Sequence, residues 1–227
     1  MKISFPLILV NFKTYRESIG QKGLELARAA ERVSRETGVC IAVAPQTPDL
    51  SRIASSLGIP VFSQHVDPEE PGAHTGGVTP ESLKEAGVSG TILNHSERRL
   101  RIDIVEEAVR RCSSLGLLTC VCANTPLAGR AVASFGPDMV AVEPPELIGS
   151  GVSVSKARPE VVGDAVRLIK EISGGVHVLC GAGITSGEDV SAAIKLGAEG
   201  VLVASGIVKS NNPIKALADL AEHSVQR

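Results

Sequence analysis

Eight short apolar runs recur along the chain, at positions 6–10, 39–43, 59–63, 88–93, 117–121, 138–142, 176–179 and 200–203, with polar turns and stretches of helical spacing between them. Runs this short and this continuous predict strands buried on both faces. In the intervening stretches apolar residues return every three or four positions: Leu26, Ala30 and Val33; Val105, Ala108, Val109 and Cys112; Ala165, Leu168, Ile169 and Ile172; Ile214, Leu217, Ala218 and Ala221. Each set predicts one buried helix face. A glycine stands before most runs (Gly38, Gly58, Gly87, Gly116, Gly175 and Gly197), where a left-handed residue is expected to end the preceding helix. Strands that alternate with helices call for parallel pairing, and eight units in a row predict an α/β chain closed into a (β/α)8 barrel, with a long open sheet as the alternative. No linker interrupts the rhythm, so residues 1–227 are expected to form a single barrel domain.

Composition alters this picture little. Hydrophobic residues at 43% and charged residues at 21% suffice for a sizeable core, and aromatic residues at 2% make that core aliphatic. A formal net charge of -2, without a basic tail, gives no electrostatic case for nucleic acid or an anionic membrane. Ser4 and Pro6 interrupt the apolar N-terminal run, no cleavage signal follows it, and no segment reaches the length of a membrane span, so a cytoplasmic location is expected. The five cysteines are odd in number and lie mostly inside apolar runs, as reduced core thiols do. Cys120 and Cys122 alternate on one predicted strand and share a face, but they lack the second ligand pair of a zinc site, which favours packing.

In a barrel of this kind the chemistry sits at the carboxyl ends of the strands. Asn11 and Lys13 follow the first strand in N-F-K. A long connection, 64–79, follows the third and contains P-G-A-H-T-G-G. His95 follows the fourth strand in N-H-S-E-R-R, and the sequence places it just before a helix, whose positive end disfavours an imidazolium and leaves a neutral donor. Glu143 ends the sixth run in A-V-E-P-P-E-L-I-G-S-G, 141–151. Pro144 biases Glu143 towards an extended backbone, so the strand aims its carboxylate, and the two prolines and later glycines suit a hinged lid. After the seventh and eighth strands come C-G-A-G-I-T-S-G-E-D and V-A-S-G-I-V. Glycine-rich turns at these two strand ends, beside a helix start, form the common phosphate grip of such barrels; Gly181 and Gly183 would let the backbone approach an anion, and Ala204 and Ser205 would add N–H groups.

These motifs, in this order, resemble the triosephosphate isomerase family, in its short archaeal-type branch, from end to end of the TIM barrel. N-F-K is similar to the family's N-x-K, G-A-H-T-G at 72–76 resembles its interface loop, and H-S-E-R-R is its most specific segment. The resemblance implies that Glu143 is the catalytic base, His95 the electrophile and Lys13 a positive charge beside the substrate, with Asn11 as a hydrogen-bonding partner. It further implies that Glu97 supports the site and that the backbone at Ile148, Gly183, Ala204 and Ser205 holds phosphate. The implied reaction interconverts dihydroxyacetone phosphate and D-glyceraldehyde 3-phosphate through an enediolate, in glycolysis and gluconeogenesis, with no cofactor and no metal. The implied partners are a small triose phosphate and further copies of the chain, a homo-oligomer in which a tetramer is favoured over a dimer. This sequence departs from the family at Asn94, where most members carry glycine, at Gly183, where many carry serine, and at Ala204 and Ser205, which replace a glycine pair. Another phosphate-binding barrel, such as an aldose-ketose isomerase of amino-acid biosynthesis, would account for the last two turns but not for H-S-E-R-R or the Glu143 segment. A non-catalytic sugar-phosphate-binding barrel would not need Lys13, His95 and Glu143 together.

Overall fold

Strand β1 (Leu7–Asn11) is buried at every position and pairs in parallel on both sides, Leu7 with Cys40 and with Gly200. From this pairing the sheet extends around a ring: β2 (Cys40–Ala44), β1, β8 (Gly200–Val203), β7 (His177–Cys180), β6 (Met139–Val142), β5 (Leu118–Ala123), β4 (Gly90–Leu93) and β3 (Phe62–Ser63). A single parallel bridge between Val43 and Val61, with Val43 N–H donating to the Pro60 carbonyl at 3.1 Å, joins β2 to β3 and closes the barrel. The eight strands fall on the eight apolar runs, mostly displaced by one residue; β3 is shortened to two residues at the seam. The computed structural model describes residues 3–144 and 154–225. Ile148 and the glycines assigned to the lid lie outside the described residues.

Alternation along the strands sorts side chains into two shells. Leu7, Leu9, Phe62, Ile92, Cys120 and Met139 point inward and fill the barrel. Their neighbours Ile8, Val10, Val121 and Val140 point outward, under the helices. Cys120 and Cys122 both belong to the inner shell, so they pack the core as the alternation implies.

The helices that cover the outer shell are α1 (Gln21–Thr37), α2 (Leu50–Ala54), α3 (Pro80–Glu85), α4 (Ile102–Ser114), α5 (Pro126–Ala133), α6 (Val154–Ala157), α7 (Pro159–Ile172), α8 (Gly187–Lys195), α9 (Ser205–Val208) and α10 (Pro213–Ser224). On α4 the buried face is Val105, Ala108, Val109 and Cys112, as the spacing predicts. Elsewhere the stripe turns differently. Val161, Val162, Ala165 and Ile169 line the buried face of α7 while Ile172 is exposed, and α10 buries Leu217, Leu220 and Ala221 but exposes Ile214. Both misplaced residues lie in a terminal turn, where the helix has drawn away from the sheet. Gly38, Gly87, Gly116 and Gly197 are left-handed, but Gly58 and Gly175 are not. Helix α7 ends instead in extended Ser173, and Gly58 N–H donates to the Glu31 carboxylate in an ordinary turn; Gly136, at φ 70°, is the left-handed residue before β6.

Candidate active site

The inward parity of each strand, continued two residues past its last inner-shell side chain, brings the polar residues to the mouth. Asn11 follows Leu9 on β1 in this way and Glu143 follows Ala141 on β6. Glu143 N–H donates to the Ala123 carbonyl at 2.8 Å, so the sheet pairing continues up to the carboxylate and fixes its origin. The residue is only 2% exposed. Its Oε1 lies 3.4 Å from His95 Nε2, and its Oε2 is buried with no hydrogen-bond partner among the described residues. The Cys122 thiol, also in the barrel interior, faces the same carboxylate; burial, and then the Glu143 charge, push its pKa well above the usual thiol range. That thiol therefore stays protonated and adds no second negative charge beneath Glu143.

His95 is held by a turn, not by a helix. Helix α4 starts only at Ile102, so the helix dipole expected at His95 is absent. A local hydrogen bond takes its place: Glu97 N–H donates to His95 Nδ1 at 3.2 Å, and Arg98 N–H donates to the His95 carbonyl at 2.8 Å. A nitrogen that accepts a backbone N–H carries a lone pair, so the ring proton sits on Nε2, the nitrogen that faces Glu143. Asn94, just before it, has φ 55°, a left-handed conformation that asparagine tolerates better than most residues. Its amide makes that conformation useful, donating to the Cys122 carbonyl at 3.0 Å and accepting from Leu100 N–H at 2.9 Å. Asparagine thus replaces glycine here by supplying two ties that glycine lacks.

Lys13 is also left-handed, at φ 46°. Its N–H donates to the Asn11 side-chain oxygen at 2.9 Å, and its carbonyl accepts from Gln64 Nε2 at 2.9 Å; the same amide nitrogen reaches the Ala44 carbonyl at 2.9 Å. The Lys13 ammonium pairs with Glu97 Oε1 at 2.9 Å. Sequence reasoning singled out Lys13, Asn11 and Glu97 but not Gln64, for which the sequence holds no signal, since its role arises only where the residue after β3 meets the end of β2 and the turn that follows β1.

A cavity at the carboxyl ends of the strands is lined by Asn11, Lys13, His95, Glu143, Gly183 and Ser205, with Ala204 beside them. The structure therefore brings together every described residue that the sequence proposed for chemistry or phosphate, except Glu97, which stands behind Lys13. Among the described residues no group accepts from the N–H of Gly183 or Ser205. Gly181 also lines the cavity, and it has a role beyond the one expected. A Cβ there would come 2.5 Å from Glu143 Cγ, so the missing side chain makes room for the carboxylate. Among the described residues no three His, Cys, Asp or Glu side chains are grouped so as to hold a metal ion, and no helix is long and apolar enough to cross a membrane. The cavity combines a buried carboxylate, a ring N–H, an ammonium and unengaged backbone amides, a set suited to moving a proton next to a carbonyl on a phosphorylated substrate.

Comparison with known proteins agrees with this arrangement. The family model described as Triosephosphate isomerase matches residues 6–223. A triosephosphate isomerase of Methanocaldococcus jannaschii is 54% identical over 214 residues, covering 94% of this chain and 98% of the relative. Relatives of the same name from Methanobrevibacter smithii and Methanosarcina acetivorans are 50% and 52% identical over 215 residues each, covering 95% of this chain and 97% of each relative.

Proposed function

The chain belongs to the triosephosphate isomerase family, and we propose that it interconverts dihydroxyacetone phosphate and D-glyceraldehyde 3-phosphate with Glu143 as base. The observation that carries the catalytic assignment is the buried pair of Glu143 Oε1 and His95 Nε2, 3.4 Å apart, at the mouth of the cavity. Glu143 removes the proton on the carbon next to the carbonyl. The negative charge so created spreads onto the two oxygens of an enediolate, where His95 Nε2–H donates and relays the proton between them, and the Lys13 ammonium stabilises the anion. Triosephosphate isomerase is itself the type case of a glutamate base paired with a neutral histidine. Asn11 shapes the Lys13 turn and Glu97 orients the ammonium. The N–H groups at Gly183, Ala204 and Ser205 hold the phosphate, with Ile148 implied by the family resemblance alone. Binding energy from the phosphate, remote from the reacting carbons, contributes to lowering the barrier.

A coupled assay of glyceraldehyde 3-phosphate isomerisation, with Glu143→Gln run beside the wild type, tests this. The expected loss in the variant is about 10³-fold or more in kcat, with phosphate binding retained. A folded wild type without turnover overturns the reaction; an active Glu143→Gln overturns the base.

We assign a homo-oligomer, with a tetramer favoured, in a reducing cytoplasm. Two complementary features support self-association. Residues 72–76 are exposed, and a concave surface lined by Tyr15, Gln46, Gln64, His65, Glu97 and Arg98 adjoins the catalytic lysine. Ile102 at the start of α4 and Leu127 near the start of α5 are 56% and 69% exposed, large apolar side chains that suit a further contact. For the compartment, the support is the thiols: Cys112, Cys120, Cys122 and Cys180 are buried and unpaired.

A further inference from the structure

Asp189 is a carboxylate that the proposed chemistry does not use, yet it is only 3% exposed. It stands third in α8, directly behind the loop that follows β7. One of its oxygens, Oδ2, accepts four hydrogen bonds: from Thr185 N–H at 3.0 Å, Thr185 Oγ1 at 3.1 Å, Ser186 N–H at 3.0 Å and Ser186 Oγ at 3.1 Å. The Thr185 and Ser186 amides are therefore engaged by Asp189, whereas Gly183, which lines the cavity, has an N–H without an acceptor among the described residues. The effect reaches the other half of the phosphate grip. A Cβ at Gly206 would meet the Ile184 carbonyl at 3.1 Å and Thr185 Cα at 3.4 Å, so the backbone fixed by Asp189 is the surface against which the start of α9, with Ser205, is seated. The Asp189 carbonyl also accepts from buried Ser155 Oγ at 3.0 Å, which ties α6 to the same point.

We propose that Asp189 is a positioning residue for substrate phosphate: it sets the spacing between the amides at Gly183 and Ser205, the two walls between which the dianion is held. This rests on the triose phosphate reading of the cavity and deepens it. A helix cap alone needs one or two donors on the carboxylate; Asp189 takes four on one oxygen, all from the two residues that shape the grip. When donors that were aligned for the dianion move apart, most of the lost affinity falls on ground state and transition state alike and raises KM, while the part of the phosphate binding energy that lowers the barrier shows as a smaller fall in kcat.

The test compares wild type, Asp189→Asn and the double variant Thr185→Val with Ser186→Ala, by steady-state kinetics with glyceraldehyde 3-phosphate, by inhibition with inorganic phosphate, and by thermal melting. Asp189→Asn is expected to raise KM and the phosphate inhibition constant together, by about ten-fold, with a smaller change in kcat. The double variant, which keeps the carboxylate and loses two of its four donors, is expected to raise both constants by a lesser factor. A lower melting temperature with an unchanged phosphate inhibition constant in either folded variant would overturn the proposal and leave Asp189 as a helix cap. If Asp189→Asn does not fold, the double variant decides alone. Failure of the wild type to turn over triose phosphate while inorganic phosphate still binds would strike the proposed reaction and not this inference.

Discussion

At the scale of single residues, the site depends on what is missing as much as on what is present. Gly181 carries no side chain, and the base occupies the space. Gly181→Ala should push the Glu143 carboxylate off its line to His95, and because a displacement of about 1 Å at a reacting group can cost 10²-fold, kcat should fall by about 100-fold with the fold intact. Steady-state kinetics and a melting curve check this; an alanine variant with full turnover would show that Glu143 has slack. Gln64 acts in the opposite way, through what it supplies. Its amide holds the carbonyl of left-handed Lys13. Gln64→Ala should remove two hydrogen bonds, lower stability by about 1–2 kcal/mol and reduce kcat more than it raises KM. Urea unfolding and kinetics on one preparation separate the two effects.

At the scale of elements, the strands were legible because residues buried on both faces form continuous apolar runs, and their carboxyl ends then named Asn11, Lys13, His95 and Glu143. Helix α4 starts beyond H-S-E-R-R and not directly at His95, because that segment folds as a turn whose own amide fixes the ring, an outcome that local propensity does not reveal. At Gly181 the sequence suggests an approach for an anion but cannot reveal that the missing side chain also makes room for a neighbouring one, Glu143. Asp189 did leave a signal, the Ser186-x-x-Asp189 spacing of a capping box, but its grip on the loop is tertiary. The long connection after β3 adds a pH-sensitive element. His65, 9% exposed, donates from Nε2 to Asp67 Oδ1 at 2.7 Å, and Asp67 Oδ2 accepts from Val78 N–H at 2.8 Å, so the pair pins both ends of the exposed loop. Desolvation holds the His65 pKa below its ordinary value of 6.5, and it outweighs the Asp67 contact. The folded state thus prefers neutral imidazole: the stability this residue contributes is present above 6.5 and is lost as pH falls through that value towards the depressed folded one. The melting temperature of the wild type should decline between about pH 7 and pH 5 more steeply than that of His65→Asn. Parallel curves would mean that His65 does not titrate differently on folding.

At the scale of the whole molecule, the two proposed contacts between copies should separate in experiment. Leu127→Glu places a charge on the exposed α5 surface and should convert tetramers to dimers in analytical ultracentrifugation, with kcat changed by less than about two-fold, because Leu127 does not line the cavity. Thr75→Glu, at the exposed loop tip, should give smaller species and lower turnover together, since the surface proposed to receive that loop adjoins Lys13. Sedimentation unchanged by both substitutions would remove the tetramer assignment.

The ring itself has a consequence for how activity is acquired. Lys13 follows the first strand and Ser205 the last, and β1 and β8 meet side by side only when the ring is complete. A chain emerging from the ribosome can therefore build helices and the strands β4, β5 and β6, with His95 and Glu143 just beyond the ends of β4 and β6, and still lack the lysine and half of the phosphate grip at the right distance. Catalysis should switch on in one step once β8 has joined β1, and arrested chains that stop before residue 200 should be inert however much of the barrel they have already formed.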